Sequence, residues 1–549
     1  MNLQITNSTQ SKNIVLFLSF FLLFSCEQKN NTQVKNKVAV KSSKNIEIEA
    51  LKTLISEKFD SNTQAPFIVF PNDTVNQLEI YKEIYKEKEP LWLVEEGINT
   101  SAQELILSLK DLENDGIDIA RYKISDLENL MSEIKSNSTN EKAFEFEINM
   151  TDVFLKATND MLLGATINKN KEIKNPNDSL IHKAEILKMA LQNEDIQKAF
   201  IQMRPAHPWY KKFREEYIRL SAQKMQNSNL QISNIQDSLK MGDSSIAIQN
   251  IRKKLYKEVS QPIDTISQKW ENDVVDALKK YQFSNQLKVS GILDSNTIKK
   301  LNSNVESKLK ILALNMERMR WLKHEFKQPY VWVAIPKMEM DYMDKDSIQF
   351  NMRVVVGRPA RATPALDTKI QNIVLSPPWG VPPTIMREEV VPGIARRGGS
   401  YLARRGLKAY DSRGRVVNAS AINASNYKRF SIQQAPGYSS SLGEVKFNMP
   451  NPWAIYMHDT PHREDFVKSY RAFSSGCVRV HKPKEFATFL LQDTINYSYA
   501  KIDSICKLRK TISVPIHRNI DVHFVYLTNA LDSAGNIMYL KDIYKWDKI

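Results

Sequence analysis

Two spacings of apolar residues divide the chain. Between residues 47 and 238 they recur every three to four positions. In "TVNQLEIYKEIYKE", Val75, Leu78, Tyr81 and Tyr85 fall at helical spacing, and Leu105, Leu109 and Leu112 share one face further on, as do Val153, Ala157 and Met161. Breakers are sparse, and polar loops such as "NKNKEIKNPNDS" separate the segments. This predicts an all-α scaffold in which the tyrosines and Trp92 are core. Residues 239–304 predict three more helices. A turn at "MGDSS" leads into a helix with Ile248, Ile251 and Leu255 inward, and Asp294 or Ser295 caps "NTIKKLN" after a glycine turn. "ILALNMERMRWL", inside a segment 305–328, predicts an amphipathic linker helix. From residue 329 the period becomes two. "YVWVAIPKMEMDYM", "IQFNMRVVVGRP" and "WAIYMHDT" predict strands, and "VHFVYLTNALDSAGNIMYL" a hairpin about "SAG". "NIVLSPPWGVPPTI" is extended, because its prolines and glycine cannot continue a helix. With one helix around "VHKPKEFATFLLQD", the whole is a multidomain α+β protein: helical scaffold, three-helix module, and a mostly-β domain over 329–549.

Composition changes this picture at two places. Of the 549 residues, 42% are hydrophobic and 25% charged, which fits an ordinary globular protein of three or four domains. The net charge of +15 favours anionic partners: nucleic acid, acidic lipid head groups or an acidic wall polymer. Residues 385–430 hold ten Lys/Arg against three acids, so +7 of that charge sits in one insertion. It reads either as a solvated mobile segment or as a lid over an anionic substrate. At the other end, Lys12 precedes the apolar run "IVLFLSFFLLFSC", too short to span a bilayer and ending at Cys26. That ending resembles a bacterial lipobox. The resemblance implies removal of residues 1–25, lipid on the Cys26 thiol, a membrane anchor and a disordered tether over 26–46. Export disfavours nucleic acid as a partner.

Export also sharpens the role of the cysteines. The chain has three. Outside the cytoplasm a spare thiol tends to be oxidised, so Cys477 and Cys506 either pair or one is kept free for a purpose. Cys477 lies in "RAFSSGCVRVHKP". A nucleophilic thiol needs a base, donors for an oxyanion and a turn that exposes the sulfur. Gly476 lets the chain approach a substrate carbonyl, and the N–H groups of Gly476 and Cys477 are candidate oxyanion donors. On a strand Arg479 would share a face with Cys477, and an exposed thiol near a cation has a lowered pKa. Of eight histidines, His458 at the end of "WAIYMHD" is the first candidate base, with His462 and His481 as competitors. Cys506, in "DSICKL", reads as a small half-buried hydrophobe, free or transiently bridged.

Two further resemblances carry the reading on. The ordered set G-D-S, A-L-K-K-Y-Q, G-I-L-D and T-I-K-K-L-N resembles the small three-helix peptidoglycan-binding domain. The connector "EVSQPIDTISQKWEND" is longer than usual and lacks the usual glycine, so the module is either a sugar binder or a spacer. "IYMHDT" followed by "RAFSSGCVRV" is similar to the catalytic signature of the L,D-transpeptidases of YkuD type. Matches continue in "NMERMRWL", "VVVGRP" with Thr363-Pro364, "LSPPWGVPPTI", "GEVKFNMPN" and "DIYKWD", and point to the large periplasmic subgroup. This resemblance implies a β-sandwich-like catalytic domain with Cys477 as nucleophile and His458 as base. It puts Tyr456 at the oxyanion, and Ser475 where many relatives carry a second histidine. Ser474, Arg479, Trp379 and Tyr438 fall on the substrate side. It implies release of D-alanine from a tetrapeptide stem through a thioester, formation of a 3→3 crosslink, acylation by carbapenem-type inhibitors, and no metal or cofactor. The location implied is the periplasm of a diderm bacterium, anchored to the inner or outer membrane. The alternatives are an L,D-carboxypeptidase or hydrolase using the same acyl-enzyme, and a noncatalytic peptidoglycan-binding scaffold.

Overall fold

A computed structural model describes residues 40–41, 46–60, 78–136, 139–166, 180–226, 232, 239, 241–259, 261–285, 287–301, 305–322 and 326–548. The signal segment, Cys26, nearly all of the tether and Val75 lie outside the described residues. Among the described residues no helix is long and apolar enough to cross a membrane.

Seven scaffold helices, from Ile48–Asp60 to Ile196–Gln202, share one core. Its axis is helix α1 (Asn140–Leu163), where Val153, Ala157 and Met161 are fully buried. The same helix buries carboxylates, and the tyrosines expected in the core answer them. Tyr81 donates to Asp152 at 2.7 Å, and Tyr122 to Asp160 at 2.8 Å. Glu147 accepts from Tyr85 and from the Trp92 amide, and burial pushes its carboxyl up to about 7. The three-helix module has its own core around Ile248, Ile251 and Leu255. Asp294, not Ser295, caps its last helix, accepting from the Thr297 amide at 2.7 Å.

The segment expected to be a linker is an inter-domain strut. Helix α3 (Val305–Arg320) lies along α2 (Pro208–Gln226), and both bury apolar residues against strand β1 (Tyr330–Ala334) of the β domain. The polar face of α3 is buried too. Arg320 donates to the Asp115 carbonyl and the Tyr210 hydroxyl, and Asn315 to Thr528 and Asn529. His207, just before α2, stacks on Trp332 at 4.1 Å.

The β domain adds β2 (Glu339–Asp344), β3 (Ser347–Gly357), β4 (Leu366–Lys369), β5 (Asn372–Leu375), β6 (Val445–Asn448), β7 (Met457–His458), β8 (Ala472–Ser474), β9 (Val478–Val480), β10 (Ile512–Pro515) and β11 (Asp521–Val525). They form one sheet in the order β10-β5-β6-β7-β9-β3-β2-β1-β11-β4, with β8 pairing β3. Val514 of β10 and Leu366 of β4, from opposite ends of that order, belong to one core with Phe486 of helix α4 (Pro483–Leu491) and Ile502 of α5 (Tyr499–Lys507). The sheet therefore curls into the sandwich-like shape expected. Strand β1 is buried on both faces, Val331 and Val333 in this core and Tyr330, Trp332 and Ala334 against α2 and α3.

The basic insertion folds into elements of its own. Strands Trp379–Gly380, Leu407–Tyr410, Val416–Val417 and Ser431–Gln434 make a second sheet. With two short helices it closes its own core around Ile394, Leu402, Leu407 and Ile432. This cap lies over one face of the main sheet. All ten of its expected Lys/Arg are exposed, and of these Arg405 alone lines the space beneath it.

Candidate active site

Strands β7 and β9 run parallel, with Met457 opposite Val478 and His458 opposite Arg479. Period-two alternation then sorts the side chains. Met457, Val478 and Val480 enter the core. Tyr456, His458, Cys477 and Arg479 take the other face, and all four line a cavity of about 210 Å³. The cap closes it with Trp379, Glu389 and Arg405, and Ser474 and Ser475 lie at its edge. Cys477 and His458 are thus diagonal neighbours on adjacent strands.

The turn that presents the sulfur is held by hydroxyl groups. Gly476 has φ +117°, a conformation that side chains disfavour. Thr363 Oγ1 donates to the Gly476 carbonyl at 2.7 Å and accepts from the Gly357 amide at 2.8 Å. Ser474 Oγ donates to the Cys477 carbonyl at 2.6 Å and accepts from the Gly476 amide at 3.2 Å. This corrects one expectation: the Gly476 N–H is engaged inside the turn and does not face a substrate. Ser475 is exposed and accepts from Arg361 at 3.0 Å. Arg361 also pairs with Glu388 and Glu389, so one guanidinium ties the cap to the catalytic turn.

The electrostatics correct a second expectation. Cys477 keeps some solvent contact but is hemmed in, and burial pushes its thiol up rather than down. The Tyr456 amide and hydroxyl and the ammonium of Lys446 oppose that rise without overcoming it, and the thiol itself donates to the Ala454 carbonyl at 3.7 Å. Arg479 is not the cation concerned, since it pairs with Asp465 at 3.2 Å. His458 is buried. Its Nδ1 lies 2.5 Å from the Asp459 carbonyl, which can only accept, so Nδ1 carries the proton and Nε2 is left as the base. Burial lowers its pKa to about 3, with help from the charges of Arg479 and Lys446, so the imidazole is neutral. Burial raises the pKa of the Tyr456 phenol, and the Trp379 indole, which also lines the cavity, opposes that rise.

Other candidates fall outside. His462 is exposed beside Glu464, and the His481 ring packs on Phe466 at 4.9 Å. Tyr438 is 59% exposed and does not line the cavity. Cys506 is buried rather than half-buried, and its sulfur lies 3.5 Å from the Glu444 carbonyl. Burial raises its thiol to about 11, and both cysteines are free. Among the described residues no cluster could hold a metal ion. Sequence reasoning missed Lys446, Arg361 and the Glu388–Glu389 pair. Lys446 alone had a local signal: in "VKFN" it alternates with the core residues Val445 and Phe447.

Comparisons with known proteins match the chain segment by segment. Residues 328–502 match the family model of the YkuD L,D-transpeptidase catalytic domain. Residues 79–216 match a scaffold domain, and 244–301 a "Putative peptidoglycan binding domain". A Haemophilus influenzae protein named "Putative L,D-transpeptidase" is 34% identical over 249 residues, 45% of this chain and 49% of that protein. The chain therefore aligns with about half the length of this relative. Among solved structures, the Ldtfm–avibactam carbamoyl enzyme aligns over 40% of this chain and 63% of its own, at 9% identity and a TM-score of 0.19. The L,D-transpeptidase from Xylanimonas cellulosilytica aligns over 53% and 100%, at 10% identity and a TM-score of 0.18. Neither superposition is close enough to bear on the fold. In chain order, the segments thus match a scaffold domain, a peptidoglycan-binding domain and a YkuD L,D-transpeptidase catalytic domain.

Proposed function

We propose that the protein crosslinks peptidoglycan stems by acyl transfer through Cys477. The observation that carries this reading is that Tyr456, His458 and Cys477 line one cavity beneath the cap, from adjacent strands, with the imidazole neutral and its Nε2 uncommitted to the Asp459 carbonyl. The resting pair is thiol and imidazole rather than thiolate and imidazolium, so proton transfer accompanies attack. As Cys477 Sγ bonds to the carbonyl of the third stem residue, its proton passes to His458 Nε2. The oxyanion takes donors from the Cys477 amide and the Tyr456 hydroxyl, which Trp379 orients. The tetrahedral intermediate collapses by breaking the bond to D-alanine, whose amine takes the proton from His458. An amine from a neighbouring stem then attacks the thioester and gives its proton to His458, and the thiolate leaves and is reprotonated. The product is a 3→3 crosslink. The location we infer is the periplasm, with lipid on Cys26 as the anchor.

The test mixes the purified protein with a disaccharide-tetrapeptide and reads products by mass. Loss of alanine with dimer formation is expected. Loss of alanine alone would replace transfer by hydrolysis, and no loss of alanine would leave the noncatalytic scaffold. Carbapenems should add covalently to the peptide that contains Cys477.

A further inference from the structure

The sulfur has a cation beside it that the reaction scheme above does not use. Lys446 lies on β6 directly opposite His458 of β7, so its side chain leaves the sheet on the cavity side. Its Nζ sits 4.1 Å from the centre of the Tyr456 ring. That ring carries the hydroxyl directed at Cys477. Other charges near the sulfur are already engaged. Arg479 pairs with Asp465, and Glu389 with Arg358, Arg361 and Arg405. Glu444, just before β6, is held by Lys484 at 2.7 Å. On the β5 side the register neighbour of Lys446 is Val374, with Ser513 of β10 beyond it. Among the described residues no carboxylate pairs with Lys446.

A half-buried ammonium resting on a ring alone is an expensive arrangement. Cation–π attraction offsets only part of that cost, and burial lowers the lysine's own pKa. The arrangement makes sense when a negative charge is going to form nearby. We propose that Lys446 is a positioning residue whose ammonium stabilises the Cys477 thiolate and holds the Tyr456 ring, with its hydroxyl, against the sulfur. The proposal rests on Cys477 being the nucleophile. Lys446 does not line the cavity, so it acts through Cys477 and Tyr456 and not on substrate. The same charge disfavours imidazolium at His458. It therefore keeps the base in its proton-accepting form before attack. It also favours the thiolate that leaves when the thioester is resolved.

The experiment follows alkylation of Cys477 by iodoacetamide in the full chain across pH, reading the Cys477 peptide by mass spectrometry. Lys446→Met should raise the midpoint of the pH–rate curve by about one unit. Near neutrality this slows alkylation by about tenfold. Lys446→Arg should restore the midpoint to within about 0.3 units, which a purely packing role would not require. An unmoved midpoint in a Lys446→Met protein that melts normally overturns the proposal. Should that variant fail to fold, the reciprocal measurement decides. The ¹⁵N-detected titration of Lys446 Nζ should have a higher midpoint in the wild type than in Cys477→Ser, where no thiolate forms. Equal midpoints overturn the proposal. Neither readout requires peptide transfer, so a protein that transfers nothing but shows both shifts refutes the crosslinking reading and keeps Lys446.

Discussion

Helix α1 and the catalytic face both bury ionisable groups, and they treat them in opposite ways. In α1, Glu147 is fully enclosed and its oxygens accept from Tyr85 and the amides of Leu91 and Trp92. On the candidate catalytic face, His458 commits one nitrogen to a carbonyl and, together with Cys477, lines a cavity of about 210 Å³. A perturbed pKa is common to both. What separates a packed carboxylate from a candidate base is an unsatisfied atom facing an opening.

Substitutions can sharpen or break that contrast. Cys477→Ala should abolish both alanine release and dimer formation. His458→Ala should slow acylation by about a hundredfold or more, measured as the rate of carbapenem adduct formation, while the melting temperature changes little. Glu147→Ala should do the reverse. Leaving buried amides and a tyrosine without their acceptor should cost about 3 kcal/mol in urea unfolding, with acylation by the folded fraction unchanged. Equal effects of the two on either readout would break the comparison.

Acid titration sharpens it further. His458 and His207 have folded pKa values lowered to about 3 by burial, below the usual 6.5. The unfolded chain therefore binds more protons between those limits, and stability falls as pH drops through that window. The slope is at most about 1.4 kcal/mol per pH unit for each group. Glu147 has the opposite sign. Its folded pKa of about 7 lies above the usual 4.5, so its contribution is complete below about 4.5 and is lost as pH rises towards 7. Glu147→Gln should remove that loss, so the variant gains stability relative to the wild type as pH rises from 4.5 to 6.5. The smallest effect is expected of Arg361→Gln, which unties the cap from Ser475. A few-fold rise in KM with kcat nearly constant is the expected result, read from steady-state release of D-alanine.

The same contrast explains what could be read from sequence. Period and alternation are local, so Leu105, Leu109 and Leu112 announced a buried helix face and "WAIYMHDT" a strand, while the pairing of His458 with Cys477 came from the resemblance carried by "IYMHDT" and "RAFSSGCVRV". The thiol's electrostatics were not local. They depend on a cap some eighty residues upstream folding back over Cys477, so an exposed, acidified sulfur was expected where burial raises its pKa. Helix α3 misled for a related reason. The segment read as an amphipathic linker because the partners of Asn315 and Arg320, namely Thr528, Asn529, Asp115 and Tyr210, are distant in the chain. Lys446 was visible in the alternation of "VKFN", but only the register with His458 gave it a neighbour to act on.

The sharing of β1 between two cores decides where the protein can be cut. A fragment started at residue 329 would keep Val331 and Val333 covered and lay bare Tyr330, Trp332, Ala334, Val525 and Leu527, a sticky band with no counterpart left to shield it. The smallest soluble version of the enzymatic part should therefore retain the α2 and α3 segments, and a fragment trimmed to the strands alone should aggregate.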